Sequence, residues 1–133
     1  MNNTILIVGA GNMGSALVNG LSASANNDLK IIVLDKDPER AKGLVLNKEC
    51  VEDSIDDFSK FTAIVFCVKP QDFAAAANNI KSTITKESVV MSLMAGIEIG
   101  DIKRELDFKG QVIRSMPNIL ARVDEAATAM AAC

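Results

Sequence analysis

The 133-residue chain contains no histidine, no tryptophan and no tyrosine. Without an imidazole, a Ser-His-Asp or Cys-His nucleophile system is impossible, and so is a histidine-assisted dehydrogenase centre. Without a phenol, a Tyr-Lys proton relay is excluded as well. A metal site would have to be built from carboxylates and thiolates alone, and no cluster of them at ligand spacing is visible, so no metal is expected. The three cysteines, Cys50, Cys67 and Cys133, are odd in number and widely spaced, with no CxxC pair. That usage reads as a reduced, cytoplasmic protein. No apolar run reaches the ~18 residues of a membrane span, and the N-terminus lacks the basic and apolar regions of a signal peptide. With 14 Lys and Arg against 17 Asp and Glu the net charge is -3, which is not the basic field of a nucleic-acid binder.

What remains is a chain that is 49% hydrophobic and 23% charged, enough to bury an ordered core within one domain, residues 1–133. Short apolar runs alternate with amphipathic stretches. Thr4-Ile5-Leu6-Ile7-Val8, Lys30-Ile31-Ile32-Val33-Leu34 and Ala63-Ile64-Val65-Phe66-Cys67-Val68 read as strands buried on both faces, joined by two shorter strands at 88–93 and 111–115. Helices are expected over 13–24, from Asp37 with Pro38 in its first turn, over 72–84 and over 99–106. The stretch from Cys50 to Lys60 carries only a weak pattern. Strands alternating with helices predict an α/β fold: a doubly wound, mostly parallel sheet with helices on both faces. From Val123 the sequence ends in Ala-Ala-Thr-Ala-Met-Ala-Ala-Cys. An apolar stretch meeting the free carboxylate without a cap reads as a chain that naturally continues.

Gly9-Ala10-Gly11-Asn12-Met13-Gly14 fits GxGxxG between a buried strand and a helix, and Asp35 ends the next strand. This is the Rossmann-type arrangement for a dinucleotide. Gly9 permits the tight turn, Gly11 lets a pyrophosphate reach the backbone, and Gly14 lets helix and strand approach. The diphosphate would rest on helix amides beginning near Asn12. The alternative is a glycine-rich turn with no ligand. A carboxylate at Asp35 would accept from both ribose hydroxyls and repel a 2′-phosphate by about 4 kcal/mol at ~4 Å before screening. That leans towards NADH, while Lys36, Arg40 and Lys42 nearby could offset it or simply form a solvated face.

Three further segments fall at strand ends: Val68-Lys69-Pro70, Ser92-Leu93-Met94-Ala95-Gly96 and Arg114-Ser115-Met116-Pro117-Asn118. Together with the glycine loop they resemble the N-terminal domain of pyrroline-5-carboxylate reductases, from about Ile5 to Asn118. The resemblance implies reduction of the cyclic imine 1-pyrroline-5-carboxylate to proline, usually with NADPH. It implies that the nicotinamide lies along Val68, Lys69, Pro70, Ala95, Gly96, Met116, Pro117 and Asn118. It also implies a second, all-helical domain, absent from these 133 residues, that forms a homodimer or larger assembly and supplies most of the substrate site. Beyond Asn118 the pattern departs: the family continues with Thr-Pro and a glycine-containing stretch, where Ile119-Leu120, Asp124 and Ala126 stand here. No catalytic side chain is assigned. An imine protonated on nitrogen accepts hydride without a tightly coupled protein acid, so a domain lacking His and Tyr suits an imine better than a ketone.

The remaining candidates have plainer readings. Cys67 in a buried strand, Cys50 after a helix, and Met91, Met94, Met116 and Met130 are packing residues, with Met116 also a candidate for the nicotinamide pocket. Asp56-Asp57 and Asp35-Lys36-Asp37 are solvated rather than paired carboxylates. Lys69 is either an exposed strand-end charge or a group facing the cofactor. Two other functions stay open: a β-hydroxyacid-type dehydrogenase domain, and a non-enzymatic nucleotide-sensing module.

Overall fold

The structure is a computed structural model that describes residues 3–9, 11, 14, 16–17, 29–35, 50–51 and 55–115. Six strands lie in one sheet: β1 (Asn3–Val8), β2 (Leu29–Leu34), β3 (Cys50–Val51), β4 (Ala63–Phe66), β5 (Val89–Ser92) and β6 (Val112–Arg114). Their spatial order is β3-β2-β1-β4-β5-β6, and every neighbouring pair is parallel. Chain order runs outward in both directions from β1 and β4, which makes the gap between them the switch point of a doubly wound sheet.

Register explains why the strands read as continuous apolar runs. Ile32, Leu6, Ile64, Val90 and Val112 form one row across five strands, and all of them belong to or pack against one core cluster. That cluster includes Phe73, Ala77 and Ile80 of helix α1 (Phe73–Ile80) and Ile102 and Leu106 of helix α2 (Ile99–Leu106). The alternating row of Val33, Ile7 and Val65 is also buried yet lies outside the cluster, so the opposite face is covered too. Gly14, Ala16 and Leu17 are helical between β1 and β2. A right-handed crossover in that direction places them opposite α1 and α2.

Each described helix is delimited by identifiable chemistry. Pro70 opens a 3-10 turn over Pro70–Asp72 that leads directly into α1, where proline's fixed φ and missing N–H cost nothing. Four consecutive alanines, Ala74 to Ala77, then carry the helix. The expectation that it runs to Ile84 is corrected: it ends at Ile80. The next residues include the β-branched run Thr83-Ile84-Thr85, a poor helix former, and the Thr83 hydroxyl accepts the Phe58 amide at 2.9 Å. α2 ends as Asp107 turns to φ 48° while the Phe108 amide reaches back to the Lys103 carbonyl at 2.9 Å, a Schellman closure.

Two strand expectations also change. β4 stops at Phe66 rather than Val68, so Cys67 lies just past the strand instead of within it. Its amide still donates to the Val8 carbonyl at 2.8 Å, but Gly9 turns β1 away and leaves β4 no partner to continue beside. Cys50, expected to follow a helix that lies outside the described residues, begins the two-residue strand β3, too short to show a period. The helix expected from Asp37 lies outside the described residues.

The Phe66 ring stands edge-on to Phe73, centroids 5.1 Å apart, and joins the sheet to α1. Phe66→Ala is expected to lower unfolding stability by about 3–5 kcal/mol, read as a reduced midpoint in urea denaturation.

Candidate functional site: a cleft at the strand switch point

At the C-terminal end of β1 three backbone segments meet. The Gly9 amide donates to the Leu34 carbonyl of β2 at 2.8 Å, and Gly9 holds φ +104°, a conformation that a side chain would strain. A Cβ on Gly9 would stand 2.9 Å from the Cys67 carbonyl and the Val68 nitrogen, so the loops after β1 and β4 pack backbone on backbone. A Cβ on Gly14 would collide with the Gly9 carbonyl oxygen, which means the following helix leans directly on the turn. At Gly11, by contrast, a Cβ would meet nothing within 4 Å among the described residues. Its backbone faces open space.

That open space belongs to a cleft of about 370 Å³, within the range of small-molecule sites. Val8, Gly9 and Gly11 form its floor, and Leu34 and Asp35 one side. Cys67, Val68 and Lys69 form the other, and Asp72, Ala75, Ala76 and Asn79 close the far wall. Asp35 is buried and Lys69 is exposed. Hence the lining combines a buried carboxylate and an exposed cation with the apolar Val8, Leu34, Val68, Ala75 and Ala76. Cys67 is a free, half-buried thiol, and burial pushes its pKa up to about 12, the opposite of a reactive thiolate.

Of the residues singled out from the sequence, Gly9, Gly11, Asp35, Val68 and Lys69 come together in this cleft. Gly14 supports it from beneath. Pro70 begins the turn into α1 and is not part of the lining. Ala95 and Gly96 form an exposed turn beyond β5, Gly96 at φ +77°, and lie outside the cleft. The turn is anchored by Ser92, a buried residue whose hydroxyl accepts the Met94 amide at 3.2 Å. Arg114, at the end of β6, is half-buried, with its guanidinium 3.5 Å from the Glu98 carboxylate. Asn12, Met13, Lys36, Met116, Pro117 and Asn118 lie outside the described residues. Asp56 and Asp57 are both exposed, and Asp57 is engaged in its own turn, accepting the Ser59 hydroxyl at 2.6 Å. Met94 is buried and Met91 half-buried, as packing residues should be. Among the described residues no group of three or more Cys, Asp and Glu could hold a metal ion, and no helix is long and apolar enough to cross a membrane.

The α1 wall was not anticipated, although a signal for it exists. Residues 72, 75, 76 and 79 follow i, i+3, i+4, i+7 spacing and face the cleft, while 73, 77 and 80 face the core. Read only as an alanine-rich helix, the stretch shows its apolar face and hides its second one.

A protein-family model described as NADP oxidoreductase, coenzyme F420-dependent, matches residues 4–96. The chain belongs to this family. The chain is also 40% identical to a pyrroline-5-carboxylate reductase of Staphylococcus aureus, across 93% of this chain and 47% of that protein. Among solved structures, a pyrroline-5-carboxylate reductase from Coxiella burnetii superposes with a TM-score of 0.78 at 22% identity, covering 94% of this chain and 47% of that one. A 1-pyrroline-5-carboxylate reductase from Streptococcus pyogenes gives 0.68 at 25% identity over 90% of this chain and 44% of that one. The chain thus spans about half the length of the curated relatives it matches, and the resemblance drawn from its strand-end motifs is borne out.

The glycine geometry separates two effects of adding one methyl group. Gly14→Ala is expected to destabilise the fold by about 1–3 kcal/mol, read as a fall in Tm. Gly11→Ala should leave Tm within a degree or two of wild type, since it meets open space, yet weaken dinucleotide binding in calorimetry. Cys67 gives a pH dependence. Its folded pKa, about 12, lies above the ordinary value of 9.0, so between these values the folded state holds the proton that the unfolded state releases. Stability is therefore complete below about pH 9 and declines as pH rises towards 12. Cys67→Ala should flatten that decline in denaturation midpoints measured from pH 8 to 11.

Proposed function

We propose that this chain is the dinucleotide-binding part of an NAD(P)H-dependent reductase that converts 1-pyrroline-5-carboxylate to proline, in proline biosynthesis. The observation that carries this reading is the 40% identity to a pyrroline-5-carboxylate reductase across 93% of the chain. The cleft fits the cofactor on its own evidence. Gly11 exposes backbone to open space where a pyrophosphate needs close approach, and Asp35 stands at the end of β2 where a ribose diol needs an acceptor. Gly9, Gly11, Asn12, Met13 and Gly14 would hold the diphosphate. Asp35 and Lys36 would hold the adenosine ribose, and Val68, Lys69 and Pro70 would line the passage towards the ring. Ala95, Gly96, Met116, Pro117 and Asn118 are proposed for the nicotinamide side, the segments at the ends of β5 and β6.

When bound, the reduced cofactor supplies a hydride to the imine carbon. The imine nitrogen already carries its proton, so the product amine forms without a proton delivered from this domain, which has no His or Tyr to deliver one. What these residues contribute is orientation: a fixed glycine turn, a ribose anchor and a rigid sheet edge. The substrate site and the assembly into a homodimer or larger oligomer are assigned, in this proposal, to the half of the relatives' length that this chain does not span. A cytoplasmic setting accompanies it, in keeping with the free Cys67.

We further propose that NADH is preferred to NADPH. The buried Asp35 carboxylate would face a 2′-phosphate, a like-charge contact opposed by about 4 kcal/mol at ~4 Å before screening. Fluorescence titration of the 133-residue chain should show NADH binding about ten-fold tighter than NADPH. Asp35→Ser should abolish or invert that ratio. The same chain should form no proline above background from 1-pyrroline-5-carboxylate. Failure to bind either reduced dinucleotide would overturn the proposal, and turnover by the chain alone would overturn its division of labour.

A further inference from the structure

If Gly11 takes the diphosphate and Asp35 the ribose, the rest of the described lining is Val8, Leu34, Cys67, Val68, Lys69 and the α1 residues. Four of these, Leu34, Val68, Ala75 and Ala76, are apolar, suited to the faces of a flat aromatic base. A base in that volume needs its polar edge satisfied. Among the charged and amide side chains described in the lining, Asp35 and Asp72 offer only acceptors and Lys69 only donors. Asn79 alone offers a donor and an acceptor in one plane. It is exposed and sits on the cleft-facing stripe, two turns along from Asp72. Its neighbour Asn78 is equally exposed but is not part of the lining.

We infer that Asn79 is a specificity-determining residue for the adenine base, its carboxamide pairing with the N6 amino group and N7 along one edge. This rests on the cofactor reading above and deepens it. An asparagine carboxamide is complementary to adenine N6 and N7. Hypoxanthine presents two acceptors on that same edge, O6 and N7, so one half of the amide would face an oxygen it cannot bond. The cleft therefore distinguishes an adenine dinucleotide from its deaminated counterpart.

The test is calorimetric titration of the wild-type chain with NADH and with reduced nicotinamide hypoxanthine dinucleotide. Wild type should favour the adenine form by about ten-fold. Asn79→Ala should reduce that preference to less than about two-fold by lost recognition alone, with the Tm unchanged because the residue is exposed. Asn78→Ala, one position round the helix, should keep the full preference. Equal binding of the two dinucleotides by wild type, or an undiminished preference in Asn79→Ala, would overturn the assignment while leaving the cofactor reading intact. Binding of neither dinucleotide would instead remove the cofactor reading itself.

Discussion

The structure depends on one close approach, the packing of the Gly9 turn against the backbone of Cys67 and Val68 on one side and beneath the helix at Gly14 on the other. The Gly9 amide is tied to β2 through the Leu34 carbonyl, and its positive φ ends β1 at the point where a side chain has no room. The ends of three strands and the start of a helix thereby share a few ångströms. Widening that junction by one methyl group would move the β1 and β4 loops apart, and both loops line the cleft. Stability and the shape of the cleft are coupled there for a geometric reason, whereas at Gly11 an added methyl group meets no described residue within 4 Å.

The parallel sheet makes this junction possible. In strand order β3-β2-β1-β4-β5-β6 the crossovers leave the β1–β4 gap uncovered at the C-terminal edge, and ligand sites in open α/β sheets form at such gaps. The same gap divides the edge in two. Across the ends of β2, β1 and β4 lies the cleft with the buried Asp35 carboxylate, and towards β5 and β6 lies an exposed turn at Ala95 and Gly96. The cleft is the part proposed for the adenosine half of a dinucleotide. The other side is a surface that gains a wall only when something else is laid against it, as a proposed division between cofactor domain and substrate domain requires.

Legibility in the sequence followed burial. β1 and β2 were readable to within a residue because both faces are buried, leaving an unbroken apolar run, and α2 was readable because one apolar stripe alternates with charge. Misreadings occurred where local pattern and tertiary constraint diverge. Cys67 and Val68 are as apolar as the strand before them, yet they leave the sheet because their partner strand has turned away at Gly9. Thr83 to Thr85 continue the apolar spacing of α1, but β-branching and the Phe58 contact stop the helix first. β3 has two residues, fewer than any periodicity test needs. At the site, the glycine loop and Asp35 were legible because close backbone approach demands particular residue types. The α1 wall was not, because alanine and asparagine are ordinary on any helix and gain meaning only from what stands across the cleft.

The inventory of side chains bears on the chemistry as directly as the geometry does. A dehydrogenase acting on a hydroxyl or carbonyl must move a proton in step with the hydride, and the residue types that usually do so are missing from all 133 positions. Cys67 is no substitute, since burial holds its proton well beyond neutral pH. A protonated imine removes that requirement, because the charge is placed on the substrate before it meets the enzyme. On that proposal the tasks left to this chain are ones that backbone amides, one carboxylate and an apolar slot perform well: gripping a diphosphate, fixing a ribose and holding a base. On the proposed function, the described residues of this chain supply position rather than proton transfer, and a hydride transfer to a protonated imine asks chiefly for position.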